Sequence, residues 1–182
     1  IVASLVGSEM CIRDRDEVLK KLKPIIEKTP LIGQHLKFDR NVLANYDIHL
    51  NAIENDTMLM SYVYDPTATR HNLDAMASHY LNVKTTTFED VAGKGVKQLT
   101  FNQIPLEKAS DYAAEDADIT FRCYSHLKPA LAKTPSLEKV LHEIELPLVP
   151  VLSDMEQAGT LVNEEALNCL LYTSPSPRDW LQ

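Results

Sequence analysis

The sequence predicts an α/β fold in which two short strands are embedded in a helix-rich chain. Three observations carry this. Apolar residues recur at helical spacing over most of the length, short apolar runs at residues 31–33 and 52–55 break that spacing, and the composition is that of a globular domain. The chain has 182 residues, of which 45% are hydrophobic and 24% charged, and its formal net charge is −8. Such a composition excludes a disordered tail, a collagen-like chain and a disulfide scaffold. No apolar run approaches the ~20 residues that a membrane span needs. The acidic balance argues against gripping duplex nucleic acid through a broad basic face. It leaves room for a pocket that holds metal ions and a few nucleotides.

Element by element, residues 16–29 place Val18, Leu19, Leu22, Ile25 and Ile26 on one helical face, with Pro30 ending the helix. Residues 31–33 form the first strand. A short helix over 39–46 turns Val42, Leu43 and Tyr46 to one side, and a second strand follows at 52–55. Asp56 is placed to cap the next helix, which carries Met58, Leu59, Tyr62 and Val63. Residues 72–81 form another amphipathic helix. Residues 82–104 lack periodicity and read as a long loop. Pro105 opens a helix over 106–113, a longer one spans 115–132, and Pro135 begins one running to 157 that Pro147 and Pro150 should kink. Gly159 closes it, and Asn163 caps a last helix. Two short parallel strands cannot make a sheet that buries both faces. The pattern therefore calls for further strands upstream of residue 16.

The two ends read differently from the rest. LVGSEMCIRDR (5–15) and CLLYTSPSPRD (169–179) show no periodicity. Back-translated, they are opposite strands of one oligonucleotide of the sequencing-adapter kind. Residues 1–15 and 169–182 are accordingly expected to be non-native and are set aside from fold reasoning. Between them only Cys123 remains, so no internal disulfide can form, which fits a reducing cytoplasm.

Two stretches can carry chemistry. In DYAAEDADIT (111–120), Tyr112 and Asp116 are four residues apart on a helix and share a face. A carboxylate beside a phenol suits phosphodiester hydrolysis, because the carboxylate holds a hard divalent cation and the phenol orients water. An exposed acidic helix face is the alternative. In GQHLKFDRNVLANYDI (33–48), Asp39 lies where a strand gives way to a helix, at a sheet rim suited to a metal; a simple helix cap is the alternative.

Taken jointly, these stretches resemble the 3′–5′ proofreading exonuclease domain of bacterial, family A DNA polymerase I. The family runs GQNLKYDRxxLANYGI where this chain has GQHLKFDRNVLANYDI. The likeness continues through NDTMLMSY (55–62), RHNLDAMA (70–77), TFEDVAGKGVKQLTFNQ (87–103), YAAEDADIT (112–120) and IELPLVPVLSDME (144–156). It covers essentially all of residues 16–168, in order. Ribonuclease D shares the central motifs more loosely but lacks the GKG…QLTFNQ and PLVPVL strings.

The resemblance implies an RNase H-like (DnaQ-like) exonuclease fold, N-terminally truncated with its first strands missing. It implies a partial exonuclease domain over 16–142 and the start of a polymerase domain over 143–168. Asp39 and Asp116 would hold two divalent ions, Mg²⁺ or Mn²⁺, and Tyr112 would orient the attacking water. Gln34, His35, Phe38, Arg70 and Phe88 match positions near the bound 3′ end of single-stranded DNA, with packing or surface placement as the alternative. His35 stands where the family has Asn, and Phe38 where it has Tyr. The implied partners are that DNA end and the polymerase domain of the same parent chain, with no membrane.

The family's first motif, Asp-x-Glu on a strand upstream of Asp39, is missing. The one Asp-x-Glu here, Asp154-Met155-Glu156, lies on a helix, where its side chains diverge by about 200°. With two of four acids, metal ions should be weakly bound or absent and the fragment inactive or nearly so. The rival readings are a non-catalytic scaffold supporting a polymerase and, more weakly, an RNA-trimming nuclease of the ribonuclease D kind. No other histidine or Gly93-Lys94-Gly95 feature shows metal-ligand or phosphate-loop spacing.

Overall fold

The structure, a computed structural model, describes residues 12–95 and 98–173. The order is α1 (Ile12–Ile26), β1 (Leu31–Gly33), α2 (Leu36–Ala44), β2 (Ile53–Asp56), α3 (Thr57–Tyr64), α4 (Leu73–Met76), α5 (Phe88–Ala92), α6 (Leu106–Ala132), α7 (Pro135–Val140), α8 (Leu146–Ala158) and α9 (Glu164–Thr173). The most N- and C-terminal of the segments read as adapter-derived lie outside the described residues.

Among the described residues the sheet has two parallel strands, pairing Leu31 with Ile53, Ile32 with Asn55 and Gly33 with Asp56. This register brings Asp56 beside the end of β1, where the chain turns into α2. Its carboxylate then accepts four backbone N–H groups. Oδ1 takes those of His35 (3.1 Å), Met58 (2.9 Å) and Leu59 (3.4 Å), and Oδ2 takes that of Leu36 (2.7 Å). One side chain therefore caps the amino ends of both α2 and α3, satisfying donors that no helical carbonyl can reach. Asp56 is buried, which pushes its carboxyl upward, while the four N–H bonds pull it down. Gly33 is needed at the same turn, since a Cβ there would stand 2.4 Å from Leu36 Cδ2.

The main core gathers Met60, Met76, Ile119, Cys123, Leu127, Leu131 and Leu141 between α3, α4, α6 and the turn after α7. A second cluster joins α1 and α2 through Leu19, Ile26, Leu43, Ile48 and Leu50. A third, smaller one packs Ala92, Ile104 and Ala109 with Phe88 and Phe101.

Several expectations need correction. The first helix spans Ile12–Ile26 instead of 16–29; Pro24 has no N–H for the Lys20 carbonyl, and the helix ends two residues later. Helix α2 starts at Leu36, so Asp39 lies inside its first turn and is not its cap. Residues 82–104 are not a plain loop. Thr87 and Asp90 form a capping box that opens the five-residue α5, and a 3₁₀ turn follows at Phe101–Gln103. The helices expected over 106–113 and 115–132 are one continuous α6, because Ala113 and Ala114 offer no break. Around Pro147 and Pro150 the backbone passes through a π-helical turn, Leu141–Glu145, before α8. The outer side of α8 leaves Leu148, Val151 and Met155 exposed.

Asp56→Asn keeps the shape but sets an amide N–H₂ against backbone donors. It should lower unfolding free energy by about 2–4 kcal/mol in urea titration, and an unchanged midpoint would show that the double cap carries little.

Candidate active site

A cleft of about 570 Å³ opens between the end of β1, the start of α2 and the middle of α6. Asp39 and Asp116 both line it, as do Gln34, His35, Phe38, Ala117, Thr120 and Phe121. Asp39 enters from α2 on the buried face it shares with Leu36 and Leu43. Asp116 enters from the midpoint of α6.

Tyr112 does not line this cleft. It lies one turn before Asp116 on α6, borders a neighbouring cavity with Thr86, Asp90 and Glu115, and reaches the cleft through a hydrogen bond between its hydroxyl and Asp116. Its ring is held at 6.4 Å from that of Phe88 and 6.3 Å from that of Phe101. Burial, reinforced by the charge of Asp116, pushes the phenol up to about 12. It therefore stays protonated at neutral pH and acts as a donor, not a base.

Burial also pushes Asp116 up to about 6, with the nearby Asp74 carboxylate adding to the rise. Asp74 was not foreseen as part of this surrounding. It sits in the first turn of α4 and accepts the Thr85 hydroxyl at 2.6 Å. The spacing in RHNLDAMA gives no hint of its approach to α6, which depends on how α4 packs.

The other predicted residues divide. Gln34 is engaged: its Nε2 donates to the His71 carbonyl at 2.8 Å, and its Oε1 accepts the Thr57 hydroxyl, whose single proton it shares with the Gly33 carbonyl. This ties the cleft rim to the turn carrying Arg70, which is exposed. His71 is fixed in turn by Ser61 at Nδ1 (2.8 Å) and the Pro66 carbonyl at Nε2 (3.1 Å). Phe38 is 54% exposed at the rim and stacks on His35 with centroids 6.3 Å apart. His35 adopts a left-handed backbone, φ 61°, and its Nδ1 is buried with no hydrogen-bond partner among the described residues. Phe88 lies outside the cleft, behind Tyr112.

Two acids that face one space, one of them raised mainly by burial and further by Asp74, are a partial fit to a divalent cation. Among the described residues no group of three or more His, Cys, Asp or Glu could hold a metal ion. Nor is any helix among them long and apolar enough to cross a membrane.

A family described as 3′–5′ exonuclease matches residues 4–132. DNA polymerase I of Pseudomonas aeruginosa is 54% identical over 158 residues, covering 85% of this chain and 17% of that protein. The chain belongs to the 3′–5′ exonuclease domain family of bacterial DNA polymerase I. DNA polymerase I of Rhizobium leguminosarum is 36% identical over 91% of the chain and 16% of its own length. The DNA polymerase of Escherichia phage T5 is more distant, at 26% identity over 80% of the chain and 19% of its own length. The chain thus spans about a sixth of the length of the curated relatives it matches first. The left-handed backbone at position 35 is one that Asn tolerates better than most residues.

Because the folded Asp116 takes up its proton near 6 against an ordinary 3.8, its ionisation opposes folding. Stability from this group is highest below pH 3.8 and is lost as pH rises through about 6. Asp116→Asn should raise the melting temperature at pH 7.5 by about 2–4 °C and by less at pH 4.5. An equal effect at both pH values would contradict this. His35→Asn should stabilise by about 1 kcal/mol in urea titration, through relief of the left-handed strain; a destabilised variant would show that the imidazole packing matters more.

Proposed function

We propose that the chain contributes Asp39, Asp116 and Tyr112 to a 3′–5′ exonuclease centre acting on the 3′ end of single-stranded DNA. The observation that supports this most is the meeting of Asp39 and Asp116, distant in sequence, in one cleft. Water adds to the terminal phosphorus, the bond to the 3′ oxygen of the preceding nucleotide breaks, that oxygen leaves as a hydroxyl, and a nucleoside monophosphate is released.

Asp39 and Asp116 are the residues that would hold divalent ions, Mg²⁺ or Mn²⁺. Bound there, such ions supply Lewis-acid stabilisation to the reacting phosphodiester. Tyr112, protonated and donating its one O–H to Asp116, accepts a hydrogen bond from the attacking water on its phenol oxygen and so orients it. Phe38 offers an exposed ring to a frayed base, and Arg70 an exposed guanidinium to phosphate. Gln34 and His35 shape the rim, and Phe88 supports the phenol.

Two carboxylates are too few to hold a pair of ions firmly. The fold has room for more: among the described residues β1 pairs with β2 alone, and apolar Leu31, Ile32 and Phe121 face the cleft. In this reading the Asp-x-Glu motif and its strands belong to a region upstream, residues 143–168 begin the adjoining polymerase domain in a cytoplasmic parent, and residues 1–15 and 169–182 are adapter-derived. The exposed Leu148, Val151 and Met155 on α8 suit contact with such a neighbour. A scaffold role differs in one respect, since it would not need the upstream acids.

Millimolar Mn²⁺ should raise the melting temperature of the chain by about 1–3 °C, and Asp39→Asn or Asp116→Asn should abolish the rise. Equal responses in all three proteins would refute the site. On a 5′-labelled single strand with Mg²⁺, the chain should give little shortening; robust, Asp116-dependent shortening would refute the incomplete acid set.

A further inference from the structure

Helix α2 has two working faces. Leu36, Asp39 and Leu43 form the buried one. Lys37, Arg40 and Asn41 lie about 100° round the axis, and all three engage α8. Arg40 donates through the two N–H bonds of Nη1 to Asp154 Oδ1 at 2.7 Å and to Ser153 Oγ, with the Pro150 carbonyl a longer contact at 3.4 Å. Ser153 is fully buried, and its hydroxyl donates to Asn41 Oδ1. Asn41 Nδ2 donates to Glu156 Oε2 at 2.7 Å, and Lys37 holds the other oxygen of the same carboxylate. Gln157 Nε2 reaches both Asn41 Oδ1 and Ser153 Oγ at 3.3 Å.

This set is unlike scattered surface ion pairs, which contribute little each. Its centre is a buried hydroxyl, its guanidinium side chain is only 19% exposed, and each member touches at least one other. A helix of nine residues gripped on one side cannot roll without breaking several of these bonds. The grip also comes from outside the stretch that matches the exonuclease family, which ends at residue 132, whereas α8 spans Leu146–Ala158.

We propose that Arg40 and Asn41 are positioning residues: locked onto α8, they set the rotation of α2 about its axis and so the direction in which Asp39 enters the cleft. The proposal rests on reading Asp39 as a cation-holding acid. It adds that the aim of this acid is fixed by the helix that leads away from the nuclease segment.

The test uses the full chain, labelled with carboxyl-¹³C aspartate, and follows paramagnetic broadening of the Asp39 and Asp116 signals as Mn²⁺ is added. Arg40→Gln and Asn41→Ala should raise the apparent Mn²⁺ dissociation constant read at Asp39 by about tenfold, the usual range for groups that orient a ligand. Arg40→Lys should recover part of the loss. Met155→Gln, on α8 but 63% exposed and away from the contact, should behave as the unaltered chain. Should either α2 variant fail to fold, Glu156→Gln tests the same grip from α8 and should weaken Mn²⁺ binding at Asp39 in the same direction. Unchanged broadening at Asp39 in the folded variants, or equal loss in Met155→Gln, overturns the positioning role while leaving the cation site intact. Broadening at neither acid in the unaltered chain, or at Asp116 alone, overturns the reading of Asp39 itself, and this inference with it.

Discussion

The carboxylate of Asp56 is the point from which the rest of the arrangement hangs. It sits at the end of β2, yet it holds the amino terminus of α2 as well as that of α3. Helix α2 carries Asp39, and α3 builds the main core against α6, which carries Asp116 and Tyr112. A buried, acceptor-only group serving four donors leaves the polypeptide one way to leave each strand. Gly33 belongs to the same constraint, because the chain must pass close to Leu36 to reach the cap.

Around that point, polar side chains bind segments that hydrophobic packing alone would leave loosely related. Thr57 and Gln34 join the end of β1 to the turn at His71, and Ser61 with Tyr80 holds the imidazole from below. Such groups are satisfied in sequence, each bond fixing the donor for the next. The polar atoms of Gln34 at the cleft rim are consequently already engaged, whereas Phe38 and Arg70 stand exposed.

The sequence made the strands, the cap at Asp56 and the pairing of Tyr112 with Asp116 legible, because each is encoded within a few residues. The double role of Asp56 was not, since it depends on the register between β1 and β2. The five-residue α5 is too short to show a period, although Thr87 and Asp90 at capping-box spacing mark its start. The left-handed backbone at His35 was hidden for the opposite reason: a single histidine before an apolar run does not announce it. Asp74 near Asp116, and the α2–α8 contact, arise from packing between segments far apart in the chain, where local pattern carries no information.

The three separate hydrophobic clusters have a mechanical consequence. Asp39 rides on the smaller α1–α2 cluster, whereas Asp116 is anchored in the largest one and Tyr112 leans on the third. The two acids are therefore carried by different clusters, and what joins those clusters across the cleft is the β1–β2 pairing, the Asp56 double cap and the α2–α8 contact. In such a molecule, fluctuation amplitude at the cleft is governed by the weakest seam and not by the overall melting point.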